Sequence, residues 1–452
     1  VFSLQPISQE MKKSILMIVL CSVLTINNLH SQYFNNIDTA FKNASVNSGR
    51  LWGALFGDYY YKSHSDSLNR GGSNQYSGIP SNRNTFQIRR IYVGYDYNIS
   101  KQFSTELLLA AEDNFTAFNP PSSSSMSGDE TIGNKHTFYV KLANIRWKSI
   151  WKGTDLVIGE MSTPSLPLLT EKLWNYRPIE KTLLDLRKVP VYDAGIALQG
   201  VFDPATKNFG YDVMIGNGTG ARPAATSFKT FYGDVYAYGL DKKILVDIYA
   251  DYNRTNWSAN PNLQRSKQTV KGVIAYNSAA NSKTGINPNT GFTIGSEFFV
   301  TTLQKDVFAT KINGGVDTLT NVATGLSLYA HGDIIKNKLR YFVRYDYYNP
   351  LRVVDNTKYN KYVANASNYN DNSYVMTYNS NGTPISSTSI GDPTYKQSFV
   401  TVGLDYMPVK NVKVMPNIWY NSYASQLDKV YGSQKQDFDL VYRVTIYFLF
   451  GK

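Results

Sequence analysis

Cysteine is almost missing from this chain of 452 residues: Cys21 is the only one, and it sits in an apolar N-terminal stretch. Beyond that stretch no disulfide can form and no thiolate can bind a metal. A lipid-modified Cys21 would need small residues just before it, and Ile18-Val19-Leu20 offers none. Histidine is scarce as well, limited to His30, His64, His136 and His331. A Ser–His–acid arrangement or a His-based metal site needs converging partners, which these scattered positions do not supply. Gly216-Asn217-Gly218-Thr219-Gly220 is Gly-rich but lacks the helix and Lys of a phosphate cradle, so it reads as a loop tip. Neither catalytic residues, nor a cofactor, nor a metal is therefore expected. Charged residues are 18% of the chain, against about a quarter in a soluble domain. The formal charge is +12, yet no Lys/Arg run or basic helix gathers it, which argues against a nucleic-acid partner.

Aromatics, by contrast, reach 14%, with 35 Tyr alone. The single long apolar run, Ile15 to Ile26, follows Met11-Lys12-Lys13 and precedes Asn27-Asn28 and Leu29-His30-Ser31. It is too short to span a membrane as a helix and has the layout of an export signal. Residues 1–10 then form an upstream extension, 11–31 the signal, and 32–49 a polar lead-in.

From Arg50 onward the chain alternates apolar and polar residues in segments of about ten, the length of a tilted membrane strand. The last segment is the clearest. Phe438, Leu440, Tyr442, Val444, Ile446, Phe448 and Phe450 share one face, and Asp437, Asp439, Arg443 and Thr445 the other. The same phase puts Ile244, Val246, Ile248, Ala250 and Tyr252 opposite Asp247, Tyr249 and Asp251. Burying such carboxylates in a dry core would cost several kcal/mol each, whereas a water-filled lumen removes that cost.

The pattern predicts strands at 50–61, 85–97, 103–112, 137–148, 154–160, 194–202, 209–215, 231–240, 244–254, 268–276, 291–301, 325–334, 339–348, 397–407, 412–422 and 437–450. Short connections (98–102, 149–153, 241–243, 335–338, 408–412) alternate with long ones (62–84, 113–136, 161–193, 255–267, 302–324, 349–396, 423–436), as inner turns alternate with outer loops. The fold class is thus all-β: an antiparallel up-and-down transmembrane barrel of about 16 strands over residues 50–452, with fourteen and eighteen strands left open. Residues 277–290 are long for an inner turn. Tyr59, Tyr61, Tyr95, Tyr97, Tyr345, Tyr347, Tyr406, Phe448 and Phe450 mark girdles at the headgroup level, which makes outer-membrane lipid the first partner.

Two stretches then resemble a known family. They are Phe86-Gln87-Ile88-Arg89-Arg90-Ile91-Tyr92-Val93-Gly94-Tyr95 with Phe103-Ser104-Thr105-Glu106-Leu107, and Ile158-Gly159-Glu160-Met161-Ser162-Thr163-Pro164 with Trp174-Asn175-Tyr176-Arg177 and Asp193-Ala194-Gly195-Ile196. Both resemble the phosphate-selective porin O and P family, over roughly residues 50–202. The resemblance implies a 16-stranded bacterial outer-membrane porin, often a homotrimer, whose third outer loop folds into the lumen. Here that loop is 161–193, and its apolar Leu168, Leu169, Trp174, Tyr176, Leu183 and Leu184 suit an interior position. The phosphate-specific members carry an Arg ladder along the pore. No continuous one is traceable here, and loop charges nearly balance, Lys172, Arg177, Lys181, Arg187 and Lys188 against Glu171, Glu180, Asp185 and Asp193.

Sorting charges by phase gives the candidate pore-lining set. Arg50, Arg90, Arg340, Arg344, Lys413 and Arg443 point inward on strands that become neighbours when a barrel closes. Glu106, Glu112, Asp247, Asp251 and Glu297, with Asp212 and Asp234, point inward elsewhere. A basic wall facing an acidic one would set a transverse field across the water. Arg89 beside Arg90 requires either a lipid-facing Arg or a bulge. Glu171, Arg177, Glu180 and Lys181 are the candidate constriction-loop residues. The expected function is passive diffusion of small hydrophilic solutes or ions, with mild anion preference. A surface protein whose long outer loop 349–396 binds carbohydrate or protein is the alternative.

Overall fold

The computed structural model describes residues 46–67, 75–76, 79–112, 137–165, 170–187, 189–224, 227–256, 264–282, 285–364, 395–424, 426 and 436–451. The export signal, the upstream extension, His136, Leu168, Leu169, Lys188 and most of loop 349–396 lie outside the described residues.

Seventeen strands follow in order: β1 (Ser48–His64), β2 (Arg83–Asn98), β3 (Phe103–Glu112), β4 (Tyr139–Trp151), β5 (Thr154–Ser162), β6 (Tyr192–Val201), β7 (Phe209–Gly216), β8 (Thr230–Gly239), β9 (Ile244–Asn256), β10 (Gln264–Asn277), β11 (Phe292–Lys311), β12 (Val316–Ile335), β13 (Leu339–Asn349), β14 (Tyr359–Ala364), β15 (Lys396–Val409), β16 (Val412–Ala424) and β17 (Gln436–Phe450). Two short helices, α1 (Thr170–Trp174) and α2 (Leu183–Leu186), lie between β5 and β6. Among the described residues, no helix is long and apolar enough to cross a membrane.

Each strand pairs antiparallel with its neighbours, and β17 pairs with β1 from Gly53↔Phe450 to His64↔Leu440, so the ring closes. Closure removes the edge strands an open sheet would expose, and satisfies backbone groups that lipid cannot. β14 stands outside the ring. β13 pairs directly with β15, and β14 adds to the far end of β11, so sixteen strands form the wall.

The wall has the polarity the alternation predicts. Ile248, Ile274, Ile294, Phe298 and Ile446 are exposed on the outside, while Asp247, Tyr249, Phe299, His331, Arg344 and Arg443 are buried within. Tyr59, Tyr61, Tyr95, Tyr345, Tyr406, Phe448 and Phe450 all project outward.

Three expectations change. Residues 302–324 remain the outer connection but are paired: β11 and β12 stay together as far as Thr310↔Val316 and turn at 312–315, making a hairpin that rises beyond the wall. Segment 62–84 is not wholly outside, because Tyr76 and Ile79 are buried within the barrel. The pairing of β1 with β2 shifts between Phe56↔Arg90 and Gly57↔Ile88, leaving Arg89 as the extra residue of a bulge. The bulge lets Arg89 and Arg90 both turn inward, where both are buried.

Candidate functional site: a lumen with inserted segments

The segment after β5 enters the barrel. Leu173, Trp174, Tyr176, Ile179, Leu183 and Leu184 are all buried, packed on wall residues such as Tyr329, Phe342 and Phe299. Trp174 stands edge-on to Tyr329 at 5.8 Å, and Tyr176 lies 4.7 Å from Phe342. This is the in-folded third outer loop.

Wall cations hold the loop by its main chain. Arg89 donates to the carbonyl of Pro178, Arg443 to that of Ile179 at 2.5 Å, and Arg344 to that of Lys181 at 2.6 Å. The Trp174 indole donates to the Glu180 carbonyl at 2.8 Å from within the loop. Four successive carbonyls, 178 to 181, are thereby satisfied away from bulk water. A loop that lacks secondary structure is stable inside only when its polar backbone is met in this way.

The four constriction-loop candidates divide between two sides of the loop. Arg177 bridges Asp185 at 2.8 Å and Glu171 at 3.2 Å, all three buried. Burial pushes the Glu171 carboxyl up even against Arg177, whereas Asp185, also buried, is held low by Lys181 and Arg177. Glu180 accepts from the Trp419 indole at 2.9 Å, from Gln75 at 3.0 Å and from the Lys181 amide at 2.9 Å. Lys181 is half-buried.

All six basic candidates lie on the inner face, but not as free charges. Arg50 pairs with Asp96 at 2.7 Å, Arg90 with Glu112 at 2.8 Å, Arg344 with Asp346 at 2.5 Å and Lys413 with Asp405 at 2.7 Å. Arg340 pairs with Asp333, and Arg443 rests on Asn417 and on the Tyr76 hydroxyl at 3.1 Å. The basic wall of the sequence pattern is therefore locally compensated. A charge this deep in packed side chains needs a partner nearby.

The acidic candidates divide. Glu112 is clamped by Arg90 and Lys141, and half-buried Glu106 accepts from Asn144 at 3.3 Å. Asp247 meets Lys271 at 2.9 Å, Asp251 accepts from Tyr249 at 2.7 Å, and Glu297 accepts from the Leu184 amide at 3.2 Å. Asp212 faces Asp234 directly across β7 and β8, Gln199 donates to Asp212 at 3.0 Å, and both carboxylates are buried. The β7–β9 wall thus carries more acid than base, while the β13–β2 wall keeps more base than acid, two of its arginines pairing with Asp333 on β12 and Glu112 on β3.

Two inserted elements escaped the sequence pattern. The first is Tyr76, wedged between Tyr60 at 5.2 Å and Trp419 at 5.3 Å, its hydroxyl donating to Asp58 at 3.1 Å. Tyr among Ser, Asn and Gly gives no periodic signal of burial. The second is the connection between β10 and β11, whose Ala280 and Ile286 are buried in the same cluster as Leu173 and Trp174. Its length is the only sign the sequence gives. His331 is buried and hydrogen-bonded to the Leu173 carbonyl at 2.8 Å.

No family model and no curated protein matches the chain. Solved structures do. The outer-membrane channel DcaP of Acinetobacter baumannii aligns at 9% identity over 91% of this chain and 99% of its own, with a TM-score of 0.53. OprB of Pseudomonas putida aligns at 12% identity over 89% and 93%, with a TM-score of 0.50. An anion-selective porin from Comamonas acidovorans aligns at 11% identity over 89% and 99%, also with a TM-score of 0.50. At these identities the likeness is one of fold: a closed sixteen-strand barrel of the outer-membrane porin type.

Proposed function

We propose that this protein is an outer-membrane porin through which small hydrophilic solutes or ions diffuse passively, with at most a mild preference for anions. The observation that carries this reading is a closed ring with an apolar outside, a charged inside and an inserted loop that narrows the lumen. Such an insert sets an upper size for solutes while polar side chains replace part of their hydration. On this reading the chain is exported by its N-terminal signal, is not an enzyme, and assembles as a homotrimer. Mild anion preference draws support from the +12 formal charge and from the anion-selective porin of the same fold.

Membership of the phosphate-selective porin O and P family is supported by the motifs in β2, β3 and β5 and by the inserted loop. Phosphate as the solute is not, since the inward arginines spend their donors on carboxylates and loop carbonyls. The test is ion current through purified protein in a planar bilayer, with the reversal potential across a salt gradient. Stepwise channels with a small reversal potential support the reading, and no current from correctly folded protein overturns it.

A surface-binding role rests on one feature. The β11–β12–β14 extension rises above the wall and exposes Ile312 and Val316. Binding of glycan or protein that is lost when this extension is shortened, in a barrel that does not conduct, would favour it.

A further inference from the structure

In outer-membrane barrels the short turns face the periplasm. The connection at 278–291 breaks that habit, since it is long and its described residues, 278–282 and 285–291, bring Ala280 and Ile286 into the barrel. Its residues are held by wall side chains through main-chain contacts. Arg340, itself 1% exposed, donates to the carbonyls of Pro288 at 2.8 Å and Asn289, while pairing with Asp333. Asn277 donates to the Asn287 carbonyl at 3.1 Å and accepts from the Asn287 amide at 3.3 Å. Asp333 accepts from the Gly291 amide at 2.7 Å, at a residue whose φ of +64° suits glycine. Ala280 and Ile286 are buried against the apolar cluster that holds α1.

This inner segment meets the inserted outer loop. Asn175 donates from its side-chain amide to Asn289 at 2.8 Å, and Arg340 reaches His331, whose other ring nitrogen bonds Leu173. A segment entering from one end of the barrel and one entering from the other therefore touch inside it.

We propose that the 278–291 connection is a second constriction of the pore, latched by Arg340, so that solutes pass two filters in series: the outer loop first and this turn second. The inference rests on the diffusion-channel reading. It also gives Arg340 a job different from the other inward cations. Arg89, Arg344 and Arg443 hold carbonyls of the outer loop, whereas Arg340 holds those of the turn and meets the outer loop at the Tyr176 side chain. Exposed Ser282 and half-buried Asn287 then line the periplasmic exit.

The experiment is single-channel conductance after replacing residues 279–290 by an Asn-Gly turn, in protein whose folding is checked by its heat-dependent gel mobility. Conductance should at least double, and an unchanged value in a folded barrel overturns the proposal. Should the shortened chain fail to assemble, Asn287→Cys in the full chain decides the matter. Past Cys21 it would be the only thiol, so a bulky thiol reagent added from the periplasmic side modifies one position. Complete labelling with a marked fall in current supports the second constriction, and complete labelling with no change refutes it. Arg340→Gln should make the current of intact channels flicker as the turn loosens. A steady, unaltered current would remove Arg340 as the latch. Wild-type protein that conducts nothing would instead overturn the channel reading itself, so the two failures are distinct.

Discussion

The indole N–H of Trp419, on β16, donates to the carboxylate of Glu180 at 2.9 Å, joining the barrel wall to the inserted loop. Both groups are buried, and the same carboxylate accepts from Gln75 at 3.0 Å, which belongs to the segment after β1. One Glu therefore ties the wall, the third outer loop and the first outer loop together. A hydrogen bond to a charged, buried group is worth about 1.5–3 kcal/mol, more than a neutral one.

Trp419→Phe keeps a ring for Tyr76 and Phe399 to pack on but removes the donor. The expected outcome is a loosened loop: noisier single-channel current and a fall in stability of about 1–3 kcal/mol, read from denaturant titration in detergent. Glu180→Gln should give the same noise. Quiet, unchanged channels in both variants would show that the arginine contacts to the loop carbonyls and the apolar packing of Trp174 and Leu183 fix the loop without this hydrogen bond.

Deleting the tip of the inserted loop, residues 175–186, should raise conductance by removing bulk from the lumen. The measurement is step size in a planar bilayer. An unchanged step size in an assembled barrel would mean that the path bypasses this loop.

Location follows from the wall. Protein recovered from membranes should fractionate with the outer membrane and migrate differently before and after boiling, because a closed ring of strands resists detergent when cold. Recovery as a soluble species that binds no detergent would refute this.

The Arg89 bulge makes a sharp stability test. A Cβ at Gly57 would collide with the backbone carbonyl oxygen of Gln87 in the opposing strand, which cannot swing aside as a side chain can. Gly57→Ala should therefore cost about 1–3 kcal/mol and disturb Arg89, while Gly233→Ala, with open space around its Cβ, should be neutral. Equal stabilities would show that the bulge relaxes freely.

Much of this was legible beforehand, and the reason is physical. Lipid outside and polar groups inside impose a period of two on every wall strand, so Asp247, Arg344 and Arg443 could be assigned to the inner face without coordinates. What breaks the period was hidden. The bulge at Arg89 is a single extra residue, visible only as two adjacent arginines. The β11–β12 extension runs through Gln304-Lys305-Asp306, which has no lipid to face and so no apolar stripe to reveal it. The partners of the inward cations were not readable either, since Arg340–Asp333 and Lys413–Asp405 depend on register across strands.

That pairing changes what a charge substitution should do. Arg344 neutralises Asp346 and holds the Lys181 carbonyl, while Arg443 lies close to Asp58 and holds the Ile179 carbonyl. Replacing both with Gln removes two cations, leaves Asp346 without its partner and leaves Asp58 with Arg89 alone. The β7–β9 wall is already richer in acid, so the lumen as a whole turns more negative. The reversal potential should move towards cations, most clearly at low salt, where screening reaches beyond about 10 Å only below 0.1 M. Loop carbonyls lose donors in the same step, so conductance should rise as well. The two effects separate by salt, because a field effect fades as salt increases and a wider path does not. A conductance gain with no shift in reversal potential at any salt would mean that these arginines serve only to hold the loop, and that selectivity is set by Arg177, Lys181 and the acidic wall.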